Sequence, residues 1–290
     1  MPSSDTSLHA TTAGGRASVR RVVWRRLRRL RIPDWVYGLV TVLFLLWLWE
    51  YAVDHGHLNP YQFPPPSKLQ GTFESLLERG FPRGITTDVH LRTTLSRILK
   101  GYVAATALAI PSGLVIGSNS ILDRAALPII TFARSVATIS LLPLAVAWFG
   151  VGEFTRVFLI AYGCYWIIVT SVVEAVKGVN RQYIHAAQTL GASRVQIFFR
   201  VMLPASLPRI FSGMRVALGM AFLVIIAVEM IGTVRGLGAL IMEARTFYRT
   251  DVTIVGMFFI AIIGFVLANV LSWLERFLLP WMTDLDEVQR

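Results

Sequence analysis

The sequence predicts an all-α membrane protein with six transmembrane helices, and three observations support this prediction. Hydrophobic residues make up 54% of the 290-residue chain and charged residues only 16%, and the mean hydropathy is +0.59. That composition leaves too little polar surface for a soluble globule of this length. Six intervals carry almost no charge and approach the roughly 20 apolar residues that a helix needs to cross a bilayer. Arginine-rich segments separate several of these intervals, as is typical of loops at a membrane surface.

Charged residues bound most of the six intervals. The first interval is short, but tryptophan and tyrosine near both of its ends suit the two membrane interfaces. The third contains Arg134, Pro128 and Pro143, so it is expected to be kinked or split. The fifth is interrupted only by Glu229. In order, the intervals are Asp34 to Glu50, Lys100 to Asp123, Ala125 to Phe149, Arg156 to Glu174, Arg215 to Arg235 and Asp251 to Glu275.

The distribution of arginine predicts the orientation in the membrane. Residues 175–215 carry six basic side chains and no acidic one, and residues 1–31 are also rich in arginine. Four spans separate the two segments, so both lie on the same side, which the positive-inside rule makes cytoplasmic. We therefore predict a flexible basic cytoplasmic tail over residues 1–31, a transmembrane domain over residues 32–280 and a C-terminal cytoplasmic tail over residues 281–290.

The long segment from Glu50 to Lys100 is then predicted to lie on the outer side. Its stretch NPYQFPPPSKLQGTF contains three consecutive prolines, which favour an extended chain. A helix is expected to begin after them, at about Ser67.

The stretch HAAQTLGASRVQIFFRVMLP, residues 185–204, has the pattern of a short helical hairpin. Gly191 ends the first helix, where glycine accepts the left-handed backbone conformation. Ser193 begins a capping box in which Ser193 and Gln196 satisfy each other's backbone donors. Apolar residues then recur at helical spacing as far as Pro204, where the second helix is expected to stop. This basic hairpin either docks on a soluble partner with an acidic surface or rests on anionic lipid.

The hairpin is similar to a motif of a known family. The residues that carry the similarity are His185, Ala186, Ala187, Gly191, Val201, Leu203 and Pro204. Their pattern resembles the EAA motif in permease subunits of ABC importers, with His185 in place of the usual first glutamate. The stretches LLPLAVAWFGVGE (141–153), LRTTLSRILKGY (91–102) and GLGALI (236–241) are similar to the branch that carries nitrate, sulfonates, taurine and bicarbonate.

The resemblance implies a type I importer permease in the bacterial cytoplasmic membrane. In such importers the motif forms a helix that couples to the ATPase, here within an elbow over residues 178–208. The implied partners are two cytoplasmic ABC ATPase subunits, a second permease subunit that is identical or homologous, an extracytoplasmic solute-binding protein and the lipid bilayer. ATP and magnesium would bind to the ATPase subunits. The implied substrate is a small anion such as nitrate, a sulfonate, taurine or bicarbonate.

Two ionisable residues inside the spans, Glu229 and Arg134, are candidates for the translocation pathway or for gating. A charge inside a membrane is costly unless it is paired or faces water. Glu229 is therefore expected to point into the bundle, where it acts in gating or as a structural hydrogen-bond partner of a neighbouring helix. Arg134 is expected to contact an anionic substrate, to form an ion pair or to anchor the interface. If Glu229 instead binds a coupling ion, the chain is an ion-coupled secondary transporter.

The sequence gives no support to other kinds of site. None of the three lysines, Lys68, Lys100 and Lys177, follows a glycine, so the chain has no Walker loop for ATP. His55 and His57 have no further ligand residues nearby, so no metal site is predicted. The basic residues form no groove interleaved with aromatic ones, which argues against nucleic acid. We expect no enzyme activity and no bound cofactor in this chain.

Overall fold

The computed structural model describes residues 34–82 and 84–281. The chain divides into two compact units, the first ending at Pro60 and the second beginning at Tyr61. The predicted tail over residues 1–31 lies outside the described residues, as does the predicted C-terminal tail apart from Trp281.

In the first unit, helix α1 (Asp34–Asp54) follows the first predicted interval and continues past Glu50. Phe44, Trp47 and Tyr51 stack in succession along α1. Their spacing of three and four residues places them on one face of the helix.

The second unit is helical throughout its described part, in which no β-strand occurs. A 3-10 turn (Thr138–Leu141) precedes α5, and a π-helical segment (Phe198–Met202) precedes α9. The α-helices are α2 (Pro66–Arg79), α3 (Thr87–Ser118), α4 (Ser120–Ser135), α5 (Leu142–Phe149), α6 (Glu153–Lys177), α7 (Arg181–Thr189), α8 (Arg194–Ile197), α9 (Leu203–Glu229), α10 (Leu237–Thr246) and α11 (Thr250–Leu278).

Among the described residues, five helices are long and apolar enough to cross a membrane: α1, α3, α6, α11 and the continuous helix Arg194–Glu229. A sixth span results if α4 and the segment Thr138–Phe149 count as one, because the two are bent by 82° at a short break. These helices confirm the predicted fold class and the expected split of the third interval. Pro143 lies in the first turn of α5, where proline favours the start of a new helix.

The prediction that charges mark the ends of the second span, Lys100 and Asp123, was wrong. Helix α3 begins at Thr87, before Lys100, and includes Arg97. The charge of Arg97 is tolerated inside the helix because two carboxylates pair with it. The helix ends before Asp123 because Asn119 accepts hydrogen bonds from the first backbone N–H groups of α4 and so starts a new helix.

Small residues bring α3 into close contact with α6. Gly101 and Gly113 of α3 face Ile160 and Val172 of α6, and a Cβ atom at either glycine would lie 2.7 Å from the facing side chain. Ile160 and Val172 are fully buried. Helix α9 packs on the same group, since the Tyr102 hydroxyl of α3 donates a hydrogen bond to a backbone carbonyl of α9 over 2.8 Å. The core therefore lies between α3, α6 and α9.

Replacing Gly101 with alanine tests the close contact between α3 and α6. The new methyl group would overlap Ile160, and overpacking of this kind costs about 1–3 kcal/mol. The matched control is Gly71→Ala in α2, where a Cβ has no other atom within 4 Å and alanine is the better helix former. Thermal unfolding in detergent, followed by circular dichroism, should show a lower midpoint for Gly101→Ala only. Equal midpoints for the two variants would contradict the packing.

Candidate functional site

The predicted hairpin is present, and its turn has the expected local geometry. Helix α7 ends before Gly191, whose φ of +77° is in the left-handed region that glycine adopts readily. Ser193 Oγ accepts from the Gln196 N–H over 3.3 Å, and Gln196 Oε1 accepts from the Ser193 N–H over 2.9 Å. This reciprocal pair is the capping box that the sequence predicts. The turn between α7 and α8 is therefore fixed by local interactions.

The prediction that the second hairpin helix stops at Pro204 was wrong. Helix α8 continues through the π-helical segment into α9, and Pro204 lies in the first turn of α9. The Leu203 N–H donates to the Phe198 carbonyl, a bond one residue longer than in an α-helix. Pro204 has no N–H to donate, so the wider π turn occurs where one helical hydrogen bond is lost in any case. The hairpin thus joins the span α9 without a loop.

The residues of the predicted coupling motif lie in two places. His185, Ala186 and Gly191 are exposed and Ala187 is half-buried, all in or just after α7. His185 Nδ1 lies 3.2 Å from the Gln188 side-chain oxygen. The remaining motif residues lie half-buried at the junction with α9, and they are Val201, Leu203 and Pro204.

A cavity of about 530 Å³ lies in the corner of the hairpin. Its walls include Ile184 of α7, Phe198 and Met202 of the π-helical segment, and Ser118 at the end of α3. Arg194 also borders the cavity. The hairpin therefore presents an apolar recess beside a basic residue.

The second candidate, Glu229, lies at the other end of α9. Its side chain is fully buried and accepts hydrogen bonds from Arg97 Nη1 over 2.7 Å and from the Thr94 hydroxyl over 2.8 and 3.0 Å. The Gly238 N–H donates to its Oε2 over 3.0 Å. A fully desolvated carboxylate requires this degree of compensation. Glu229 therefore joins the end of α9 to α3 and to the start of α10.

Arg97 connects Glu229 to the surface. Its guanidinium also binds both carboxylate oxygens of Glu153, with Nε 2.7 Å from Oε2, and donates to the Arg235 carbonyl over 2.8 Å. Arg156 donates to Glu153 over 3.1 Å and to the Gly232 carbonyl over 3.0 Å. We call Arg97, Glu153, Arg156 and Glu229 the ion network. It holds α3, α6 and α9 together with the loop that follows α9.

Gly236 allows the loop after α9 to pass directly over Glu229. A Cβ at this position would lie 2.5 Å from both carboxylate oxygens, and the φ of Gly236 is +129°. The Gly236 N–H donates over 3.1 Å to Nδ1 of His90, a fully buried residue of α3, and His90 Nε2 lies 3.1 Å from the Phe81 carbonyl. His90 Nδ1 also lies 2.8 Å from the Gly236 carbonyl oxygen, so this ring nitrogen contacts both polar backbone groups of Gly236. These contacts of Gly236 and His90 hold the loop after α9 over the buried carboxylate of Glu229.

The structure does not bring Arg134 to Glu229. Arg134 lies exposed in the last turn of α4 and forms no ion pair with any described residue. The partner of Glu229 is Arg97, which the sequence reasoning missed because Lys100 was taken as the start of the second span. A buried glutamate requires a cation, and Arg97 was available within the stretch LRTTLSRILKGY.

Comparison with known proteins identifies the family. Residues 105–284 match the family described as "Binding-protein-dependent transport system inner membrane component". The chain belongs to this family. It is a permease subunit of an ABC importer, as the resemblance in the hairpin predicts, and the family works with a solute-binding protein and an ATPase.

Two curated relatives cover nearly the whole permease. The taurine transport system permease protein TauC of Escherichia coli is 36% identical over 265 residues, which is 90% of this chain and 94% of TauC. The bicarbonate transport system permease protein CmpB of Synechocystis is 30% identical over 264 residues, which is 89% of this chain and 92% of CmpB. The predicted branch of the family is thereby confirmed. The relatives give no support to the ion-coupled alternative.

A solved structure supports the fold independently. The permease resembles a chain of the inward-facing MetNI methionine ABC transporter with a TM-score of 0.58 and 20% identity, over 64% of this chain and 93% of that chain. At this identity the likeness concerns the fold alone.

Removing Arg97 tests whether Glu229 depends on it. Arg97→Met leaves a buried carboxylate without its cation and should destabilise the permease by about 3–5 kcal/mol. Glu153→Gln is the control, because the Glu153 side chain is 64% exposed, so its replacement leaves no buried charge unpaired and should cost less than Arg97→Met. Unfolding in detergent by sodium dodecyl sulfate, followed by tryptophan fluorescence, measures both changes.

The double variant Arg97→Met/Glu229→Gln separates the charge from the packing. Neutralising Glu229 removes the uncompensated charge, so the double variant should be more stable than Arg97→Met alone. A double variant less stable than both single variants would contradict the pairing.

Proposed function

We propose that the permease carries a small anion, released by an extracytoplasmic binding protein, across the bacterial cytoplasmic membrane at the expense of ATP. Two copies of a cytoplasmic ATPase bind ATP and magnesium. A second permease subunit, identical or homologous, completes the pathway. The observation that carries this proposal is the exposed, rigidly capped hairpin, which continues without a loop into a spanning helix.

The hairpin has the shape and charge of a docking element. Residues 175–215 contain six basic and no acidic side chains. Lys177 and Arg215 pair with Asp123 and Glu275, and the other four basic residues favour an acidic partner surface. Leu190 at the end of α7 is 88% exposed, and Tyr183, Val195 and Phe199 of the hairpin are 61%, 66% and 60% exposed. A group of exposed apolar side chains of this kind is typical of a surface that a partner covers. We assign ATPase coupling to His185, Ala186, Ala187, Gly191, Val201, Leu203 and Pro204.

Helix α9 offers a mechanical path from the hairpin to the ion network. It has 27 residues and so measures about 40 Å, enough to cross the hydrocarbon core. Closure of the ATPase pair would move the two hairpins of the importer, and each rigid α9 would pass that movement to Glu229 and the helices it binds. Glu229 acts in this scheme as a gating residue through its attachment to α3 and α10. Arg134 is assigned to the pathway.

The orientation follows from the same assignment. If the hairpin lies in the cytoplasm, α6 and α9 place the ion network at the extracytoplasmic end. The chain then enters α1 from the cytoplasmic side, so the N-terminus is cytoplasmic. The excess of arginine in residues 1–31 agrees with this orientation.

Taurine is the first substrate to test. The taurine relative has the higher identity of the two described above, and a sulfonate, bicarbonate or nitrate shares the single compact anionic group. The binding protein is expected to choose the solute.

Co-purification with the ATPase tests the hairpin. Gly191→Pro should abolish it, because proline cannot adopt a φ of +77° and removes the N–H that donates to the Gln188 carbonyl over 2.9 Å. Gly150→Pro is the matched control, since Gly150 has a φ of +76° and donates to the Val146 carbonyl over 2.8 Å, but lies away from the hairpin. If a folded Gly191→Pro permease retains the ATPase at the wild-type level, the hairpin is not the coupling element.

Reconstitution tests the energy source and the pathway. Proteoliposomes with permease, ATPase and binding protein should accumulate labelled taurine, bicarbonate or nitrate with ATP and not with a proton or sodium gradient alone. Arg134→Ala should reduce uptake by roughly tenfold while ATP hydrolysis continues, because a charged contact to the anion is lost. Arg124→Ala in the same helix is the control, since among the described residues the Arg124 side chain binds only the Ser120 carbonyl. Uptake driven by an ion gradient without ATP would refute the proposal.

A further inference from the structure

A second cavity lies between α2 and the corner where α10 meets α11. Its volume is about 520 Å³, within the range of small-molecule sites. We call it the α2–α11 pocket, and its walls are formed by Ser75, Leu76, Arg79, Gly80, Phe81, Pro82, Phe247, Arg249 and Val252. Because α10 and the start of α11 follow the end of α9, the pocket lies at the same end of the bundle as the ion network.

The frame of the pocket is fixed by buried contacts. Phe73 of α2 stacks on Phe259 of α11 with ring centroids 5.1 Å apart. The Thr72 hydroxyl of α2 donates to Asp251 of α11 over 3.0 Å, and both residues are buried. These contacts fix α2 and α11 relative to each other, as a preformed site requires.

The lining is apolar apart from its arginines. Phe81 and Phe247 meet edge to face, with ring centroids 6.2 Å apart, and Leu76, Pro82 and Val252 extend the apolar wall. Ser75 adds little, because its hydroxyl already donates to the Thr72 carbonyl over 2.8 Å. Such walls favour a ligand with a hydrocarbon body.

The two arginines give the pocket a net positive charge. Arg249 binds Asp251 through Nε over 2.9 Å and through Nη2 over 2.8 Å, which leaves Nη1 without a partner among the described residues. These hydrogen bonds raise the pKa of Arg249 above its usual value, so it stays charged. Arg79 forms no ion pair or side-chain hydrogen bond with any described residue. Two arginines and one aspartate leave one uncompensated positive charge.

We propose that the α2–α11 pocket binds an organic anion of one negative charge with an apolar body, held by Arg79 and Arg249 and seated against Phe81 and Phe247. The guanidinium groups supply donors in the fork geometry that suits a sulfonate, carboxylate or phosphate group. The chemistry fits a free solute and also the headgroup and upper chain of an anionic lipid. Taurine does not fit, because it is zwitterionic and has no apolar body.

The binding test uses the full chain in phosphatidylcholine nanodiscs, without ATP or ATPase, and hexanesulfonate as the probe. Binding to the native state raises the unfolding midpoint as the ligand concentration increases, so thermal unfolding by tryptophan fluorescence gives an apparent Kd. Arg79→Ala should raise this Kd by about tenfold, because a hydrogen-bonded charge pair is lost. Phe247→Ala should also raise it. Both side chains are exposed, so neither variant should impair folding.

The matched control is Arg92→Ala. Arg92 is an exposed arginine near the start of α3, paired with Asp88 at 3.8 Å and outside the pocket, so its removal should leave the Kd unchanged. Taurine at the same concentration should produce no shift. Absence of a hexanesulfonate effect, or an equal effect in wild type and Arg79→Ala, would overturn the proposal. Since the test requires no transport, its failure would leave the proposed import function unaffected.

Nanodiscs that contain phosphatidylglycerol separate the two sources of the anion. If a lipid headgroup fills the pocket, these nanodiscs should stabilise the wild type but not Arg79→Ala, and hexanesulfonate should add nothing further. If a free solute is the ligand, hexanesulfonate should stabilise the wild type equally in both kinds of nanodisc.

Discussion

The need to compensate the buried carboxylate of Glu229 determines the arrangement of the ion network and of the helices around it. A charge without solvent must be matched by a cation and by hydrogen bonds, and the bundle supplies Arg97, Thr94 and the Gly238 N–H. Arg97 in turn reaches Glu153 at the start of α6. One desolvated charge therefore fixes the relative positions of α3, α6, α9 and the start of α10.

Helix α9 connects the hairpin to the ion network. Helix α9 begins at the π-helical segment, where the hairpin ends, and finishes at Glu229. Its small residues pack closely on α6, so Gly213 leaves no room for a side chain beside Ser171. The movement proposed for α9 requires a rigid attachment at the far end of the helix and a stiff joint at its near end. The paired carboxylate provides the first, and the capped turn provides the second.

Hydrophobic content and local signals were sufficient to predict the helical membrane fold, the split third span and the turn of the hairpin. The capping box of Ser193 and Gln196 and the left-handed Gly191 depend only on neighbouring residues. The apolar stretches could likewise be recognised from the sequence, because a bilayer requires a minimum length of each spanning helix. The predicted coupling motif was recognised from the sequence for the same reason, since its residues are close together in the chain.

Only the tertiary structure decided which charged side chains lie inside the bundle and which of them pair. Arg97 and Glu229 are 132 positions apart, and no local pattern indicates that one neutralises the other. Counting charges therefore placed the start of α3 at Lys100, although pairing allows the helix to begin at Thr87. The α2–α11 pocket could not be predicted for the same reason, because Arg79 and Arg249 are far apart in sequence and only the packing of α2 on α11 brings them to one cavity. The sequence by itself determined which segments cross the membrane, and long-range packing decided which of their polar groups meet.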